Sequence, residues 1–244
     1  MSNHETIYSP IGTPLLDRTV GELVAERPGR SRVFQSLAID FCCQGGRSLR
    51  EACERKGITP DLVVRQIEAE SEERNDSAEN PANLPVAELI SHIVAKHHGF
   101  LKSELPRLHA MSERVANVHG EKKPSLVEVF QVFCSIEEEL TSHMMKEEEI
   151  LFPAMMRFTQ GEAFFTSLDG PIFCMIHEHE EVGSLLSRLR ELTDGFTPPH
   201  DACNTYRALF AGLGDLEEDL HRHIHLENTV LFPAAQAMIA GKSH

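Results

Sequence analysis

The feature that most restricts the fold of this chain is an ungapped internal repeat. "EEELTSHMMKEEEILFPA" at 137–154 lies over "EEDLHRHIHLENTVLFPA" at 217–234 at an offset of 80, and half of the positions agree. The shared pattern H-x-x-x-E-x-x-x-L-F-P-A sets His143 four residues before Glu147, and His223 four before Glu227. Residues four apart on a helix stand one above the other on one face, so each pair points the same way. A fainter repeat lies upstream: "HHGFLKSELPRL" (97–108) falls over "EHEEVGSLLSRL" (178–189) at an offset of 81, with His98 on His179. Each half of the chain therefore offers one histidine from a first helix, then a histidine and a glutamate from a second. The repeat selects His223 over His221 and His225. It also selects Glu147 over Glu148 and Glu149, which match Asn228 and Thr229 and are left to solvent or to the surroundings of the ligands.

Helix signals recur along the chain and strand alternation is nearly absent, which predicts an all-α fold. Thr19 with Glu22, Ser48 with Glu51 and Ser125 with Glu128 read as capping boxes. Proline suits the helix starts after Thr59 and after Leu84. The spacing predicts short helices near 19–26, 29–38, 48–56 and 60–73, then longer ones near 86–118, 125–158, 171–193 and 202–239. Between the two groups lies "NDSAENPANLP", polar and without periodicity. The expected organisation is a small helical N-terminal domain over 1–75, a linker over 76–85, and an up-down-up-down four-helix bundle over 86–244.

A formal charge of −15 argues against nucleic acid or an anionic membrane surface as a partner, since both reward basic patches. No apolar run approaches the roughly 20 residues of a membrane span, and the first residues lack a basic-then-apolar leader, so a cytoplasmic location is expected. The six cysteines form no regular framework and are expected to be reduced. Cys53, Cys134, Cys174 and Cys203 fall within or beside helical patterns and are expected in the core. Cys42 and Cys43, followed by two glycines and the capped helix at Ser48, differ: thiols near a helix N-terminus can have a lowered pKa.

A pseudo-two-fold bundle brings His98, His143, His179, His223, Glu147 and Glu227 together in its core. Buried glutamates without partners are costly, whereas a dication pairs them and takes neutral imidazole as a donor. Four nitrogens and two carboxylates exceed a closed tetrahedral zinc site and suit two octahedral metals with shared carboxylates. Di-iron leads and dimanganese fits the same donors. Histidines outnumber carboxylates here, unlike the Glu-x-x-His pattern of ferritin-like bundles.

These residues resemble the hemerythrin-like proteins and, more closely, the repair-of-iron-centres family of bacterial di-iron proteins. "DFCCQGG" (40–46) looks like the hallmark of that family's N-terminal domain, and "SHMMKEEEILFP", "EHEEVGSLL" and "HIHLENTVLFP" look like its ligand motifs. The resemblance implies His98, His143, His179 and His223 as terminal ligands, with Glu147 and Glu227 bridging two irons beside an oxo or hydroxo group. In "KHHGF" His97 stands where the family has an aromatic residue, and His92 is read as structural. Glu139, one turn before His143, and Glu178, beside His179, are candidates for guiding iron or protons around the ligands. The implied function is repair of iron–sulfur clusters damaged by nitrosative or oxidative stress through supply of iron, with damaged iron–sulfur proteins as partners and Cys42 and Cys43 assisting. Two readings compete with it: reduction of nitric oxide to nitrous oxide, and reversible binding of nitric oxide or dioxygen as a carrier or sensor. The sequence leaves open whether two chains associate as a homodimer.

Overall fold

The computed structural model describes residues 14–73, 80–161 and 167–240. Residues 76–79 of the expected linker lie outside the described residues. The chain forms two compact units, one of residues 1–85 with 224–233, the other of residues 86–223 with 234–244. Among the described residues no helix is long and apolar enough to cross a membrane.

In the first unit α1 (Val20–Glu26) and α3 (Leu49–Lys56) start side by side. Both expected capping boxes are present: the Thr19 hydroxyl accepts from the Glu22 amide at 3.2 Å and the Ser48 hydroxyl from the Glu51 amide at 3.3 Å. The backbone ties the two starts together, Val20 N–H donating to Arg47 at 2.9 Å and Leu49 N–H to Arg18 at 2.9 Å. With α2 (Arg30–Ser36) and α4 (Pro60–Glu73), these helices bury Leu23, Phe34, Phe41, Leu49 and Ile67. The loop after α2 returns so closely that a Cβ on Gly45 would stand 2.5 Å from the Phe41 carbonyl oxygen. Only glycine fits there without moving backbone.

Segment 224–233 contributes Ile224 and His225 to this unit. The His225 ring meets the edge of Phe41 at 5.7 Å between centroids. Burial holds its pKa down at about 4, against an ordinary 6.5, although a backbone hydrogen bond at Phe41 partly opposes the shift. The unfolded chain therefore takes up this proton first as pH falls. The contribution to stability is complete above pH 6.5 and lost between 6.5 and about 4. The loss is on the order of 3 kcal/mol, and urea denaturation across that range should show His225→Phe flattening the acid limb.

The second unit is the bundle. Its first rod is α5 (Val86–Ile93), a π-helical turn (Val94–His98) and α6 (Gly99–His119). The second is α7 (Ser125–Lys146), a π turn (Glu147–Leu151) and α8 (Phe152–Thr159). The third is α9 (Asp169–Leu192), unbroken. The fourth rod runs through α10 (Asn204–His225), a π turn (Leu226–Leu231) and α11 (Phe232–Ala240), its residues 224–233 being the segment that groups with the first unit. Leu105, Phe133, Leu186 and Phe210, one from each rod, meet in its core. The third expected capping box does not form: α7 begins at Ser125 itself with Pro124 at the cap position, and the Glu128 carboxylate accepts from Arg188 Nε at 2.9 Å.

Two of the π turns fall at equivalent places in the repeat. Pro153 and Pro233 lie just beyond them, each in the first turn of the next α-helix. Proline removes one ladder hydrogen bond, and the widened turn before it is where the ladder changes register.

The cysteines divide differently from expectation. Cys53 is buried and Cys134 half-buried, but Cys174 and Cys203 are exposed. Helical periodicity placed them near apolar positions without fixing which side of the stripe they occupy.

Candidate metal centre

The π turns position the site. His98 closes the first, Glu147 opens the second, and Glu227 lies in the third, one turn after His223 on the same continuous rod. His143 comes from the last turn of α7 and His179 from the middle of α9. All six are buried, and His98, Glu147 and Glu227 are fully so.

Two groups of four could each hold a metal ion: His98, Glu147, His223 and Glu227, and His143, Glu147, His179 and Glu227. Within each group the candidate ligand atoms lie within 4.8 Å of one another. Both glutamates belong to both groups. One group draws its histidines from the first and fourth rods, the other from the second and third, so all four rods contribute. Glu147 Oε2 stands 3.3 Å from His98 Nε2 and 3.3 Å from His143 Nε2. Among the described residues neither oxygen of Glu147 has a hydrogen-bond partner, although the residue is 0% exposed. Such a carboxylate costs several kcal/mol unless a cation compensates it, so the donor set fits metal. His143 Nε2 and His179 Nε2 face each other at 3.1 Å, close to the ~3 Å between neighbouring nitrogens on an octahedral ion with bonds of about 2.1 Å.

Carboxylates outside this set fix the rings. His98 Nδ1 pairs with Glu148 Oε1 at 2.7 Å, and Lys102 Nζ donates to the same oxygen at 2.7 Å. His143 Nδ1 pairs with Glu178 Oε2 at 2.9 Å, and Lys146 Nζ donates to Glu178 Oε1 at 2.5 Å. The two arrangements match: a histidine, a carboxylate on the neighbouring rod beside another candidate ligand, and a lysine from the histidine's own rod. Burial pushes both carboxyls up, but the bonds from lysine and histidine prevail and hold both below the usual glutamate range. A carboxylate at Nδ1 keeps that nitrogen protonated and turns Nε2 inward as the donor. Glu148→Gln, which removes the charge and keeps the shape, should weaken metal affinity about 10–100-fold. Competition with a chelator of known affinity measures this, and an unchanged affinity would reduce Glu148 to a surface contact.

The remaining expected residues lie as follows. Glu178 hydrogen-bonds to the candidate ligand His143, whereas Glu139 is half-buried and hydrogen-bonds to no candidate ligand among the described residues. His97 is outside both groups; its Nδ1 pairs with Asp219 at 2.9 Å and its ring stacks on His223 at 5.4 Å. His92 meets the edge of His97. Cys42 and Cys43 bring their sulfurs to 3.8 Å beside Asp40. The lowered pKa expected there is reversed for Cys42: the hydrogen bond with Cys43, burial and the Asp40 charge push its thiol well above the ordinary value. Local negative groups outweigh a helix that begins only at Leu49.

Residues 89–235 match the hemerythrin HHE cation-binding domain, and residues 16–71 match a domain of unknown function, DUF542. Fold and site thus define a hemerythrin-type cation-binding bundle preceded by a small helical domain. Two known relatives match over most of their length. The iron–sulfur cluster repair protein YtfE of Yersinia pestis (strain Pestoides F) is 39% identical over 219 residues, covering 90% of this chain and 96% of the relative. The protein of the same name from Yersinia pseudotuberculosis serotype O:1b (strain IP 31758) is 38% identical over equal shares. The chain belongs to this family, the repair-of-iron-centres proteins.

Proposed function

We propose that the protein repairs iron–sulfur clusters damaged by nitrosative or oxidative stress, supplying iron from a di-iron centre. The observation that carries this reading is the sharing of Glu147 and Glu227 between two histidine pairs. One cation in each group places both carboxylates between positive charges. His98 and His223 would hold one iron and His143 and His179 the other, with Glu147 and Glu227 available to both. Iron bound there supplies Lewis acidity, one-electron chemistry and the cargo itself.

The protein's own groups set how firmly that cargo is held. Each group offers two nitrogens and two carboxylates, fewer than the six donors that an octahedral ion takes. An iron held there would keep positions for nitric oxide, dioxygen or an acceptor's ligands. Glu148 and Glu178 aim the imidazoles, while Lys102, about half exposed, ties one of these carboxylates to the surface. The clients are damaged iron–sulfur proteins, and the site acts within the cytoplasm.

The test is to add iron-loaded protein anaerobically to an iron–sulfur enzyme damaged by nitric oxide. Recovery of that enzyme's activity, matched by loss of iron from the donor, is expected. Glu147→Leu should restore nothing. Failure of the loaded wild type sinks the reading, and nitrous oxide formed over many turnovers would favour nitric oxide reduction instead.

A further inference from the structure

The first unit contains a separate group of potential ligands, Asp40, Cys42 and Cys43, whose candidate atoms lie within 4.8 Å of one another. We propose that these three residues form a second divalent-cation site, made of two thiolates and a carboxylate with a fourth position open to solvent or an incoming ligand. It goes beyond iron supply by the bundle and does not depend on it.

The distances are those of a site already shaped. Two thiolates on a tetrahedral ion with metal–sulfur bonds of about 2.3 Å stand about 3.8 Å apart. The Cys42 and Cys43 sulfurs are 3.8 Å apart. A carboxylate oxygen bound at about 2.0 Å on the same ion would lie about 3.5 Å from each sulfur; the Asp40 carboxylate stands beside them, its Oδ1 3.3 Å from the Cys42 sulfur and held by backbone amides, which leaves Oδ2 as the ligand oxygen. Adjacent residues seldom bring both sulfurs to one side. Here the loop does so because Asp40 Oδ1 accepts the backbone N–H of Cys42 at 3.0 Å, of Cys43 at 2.9 Å and of Gln44 at 3.3 Å. Gly45 then permits the close return of the chain on Phe41.

Chemistry selects the cation. Thiolates prefer zinc or ferrous iron to magnesium or calcium, and a carboxylate accommodates the same borderline dications. Cys42 is buried while Cys43 is part-exposed and Asp40 is exposed, which gives an ion a path in on one side. Without a cation, a second sulfur and a carboxylate oppose ionisation of Cys42. A bound dication reverses that balance and takes the place of both thiol protons, so uptake forms two metal–sulfur bonds and releases two protons.

Cobalt(II) added to the full chain under anaerobic conditions is the probe, because the histidine–glutamate centre contains no sulfur. Cobalt in excess of the two ions that the bundle takes should give a thiolate-to-cobalt charge-transfer band that saturates at one ion per chain, with two protons released at that site. Cys42→Ser/Cys43→Ser should abolish the band. Cys43→Ser alone, at the more exposed position, should lose about half the intensity with an unchanged far-ultraviolet dichroism spectrum. Asp40→Asn keeps an oxygen for the three amides and should weaken binding at least ~10-fold. Glu147→Leu should leave the band intact, which separates this site from the bundle. Zinc or ferrous iron should displace cobalt and magnesium should not. No band in the wild type, a band that survives the double substitution, equal affinity in Asp40→Asn, or displacement by magnesium would each overturn the site.

Discussion

Glu147→Leu is expected to raise the stability of the metal-free protein while abolishing its stabilisation by metal. Glu147 is fully buried, and among the described residues neither carboxylate oxygen has a hydrogen-bond partner. An uncompensated polar group of that kind costs about 1–3 kcal/mol, more when charged, so leucine of similar size should return at least that much to the apo form. With metal the sign changes. The wild type gains about 4 kcal/mol at a free metal concentration a thousand times the dissociation constant. The variant lacks a ligand common to both four-residue groups and should gain almost nothing. Thermal melts with chelator and with ferrous iron, made in the Cys42→Ser/Cys43→Ser background so that only the bundle takes metal, separate the two effects, and a variant whose midpoint still rises with iron would remove Glu147 from the centre.

The second large effect is expected at Arg190, on α9, whose guanidinium grips Glu217 on α10. Nε donates to the two carboxylate oxygens at 2.9 and 3.1 Å, and a further N–H contacts Glu217 as well. The Glu217 side chain is 4% exposed, whereas that of Arg190 is 47% exposed and also lies over the Phe196 ring. These two helices carry His179 and His223, so the pair also fixes the register between opposite sides of the centre. Arg190→Ala leaves a buried carboxylate without its cation. Breaking buried pairs costs about 3–5 kcal/mol, and the solvent-facing half of the arginine reduces this to about 2–3 kcal/mol. Arg190→Met combined with Glu217→Leu should recover most of the loss, because an apolar pair leaves no stranded charge. Urea denaturation of the singles and the double gives the coupling; a harmless Arg190→Ala would make the contact a surface ornament.

The helices were legible because amphipathic periodicity and side-chain caps are local: α1, α3 and α4 begin within a residue of their cap or proline signals. Ser125 with Glu128 carried the same signal and failed. Arg188, sixty residues away, takes that glutamate, and the short-range pattern contains nothing of it. The repeat isolated Glu147 and Glu227 because a function performed twice leaves two copies. It could not resolve Glu148, whose counterpart Asn228 has a different task, donating to the Cys42 carbonyl at 3.2 Å. The π turns were invisible, since a helical stripe looks alike whether the ladder steps by four or five. The lone thiol expectation at Cys42 failed because pKa depends on neighbours that the fold, not the spacing, brings to the sulfur.

The most direct test of the central claim is iron analysis of anaerobically loaded Cys42→Ser/Cys43→Ser protein, in which only the bundle takes iron, together with its Mössbauer spectrum. Two irons per chain, magnetically coupled through shared bridges and both lost in Glu147→Leu, are predicted. One iron per chain, two uncoupled irons, or a centre that accepts only zinc would contradict it.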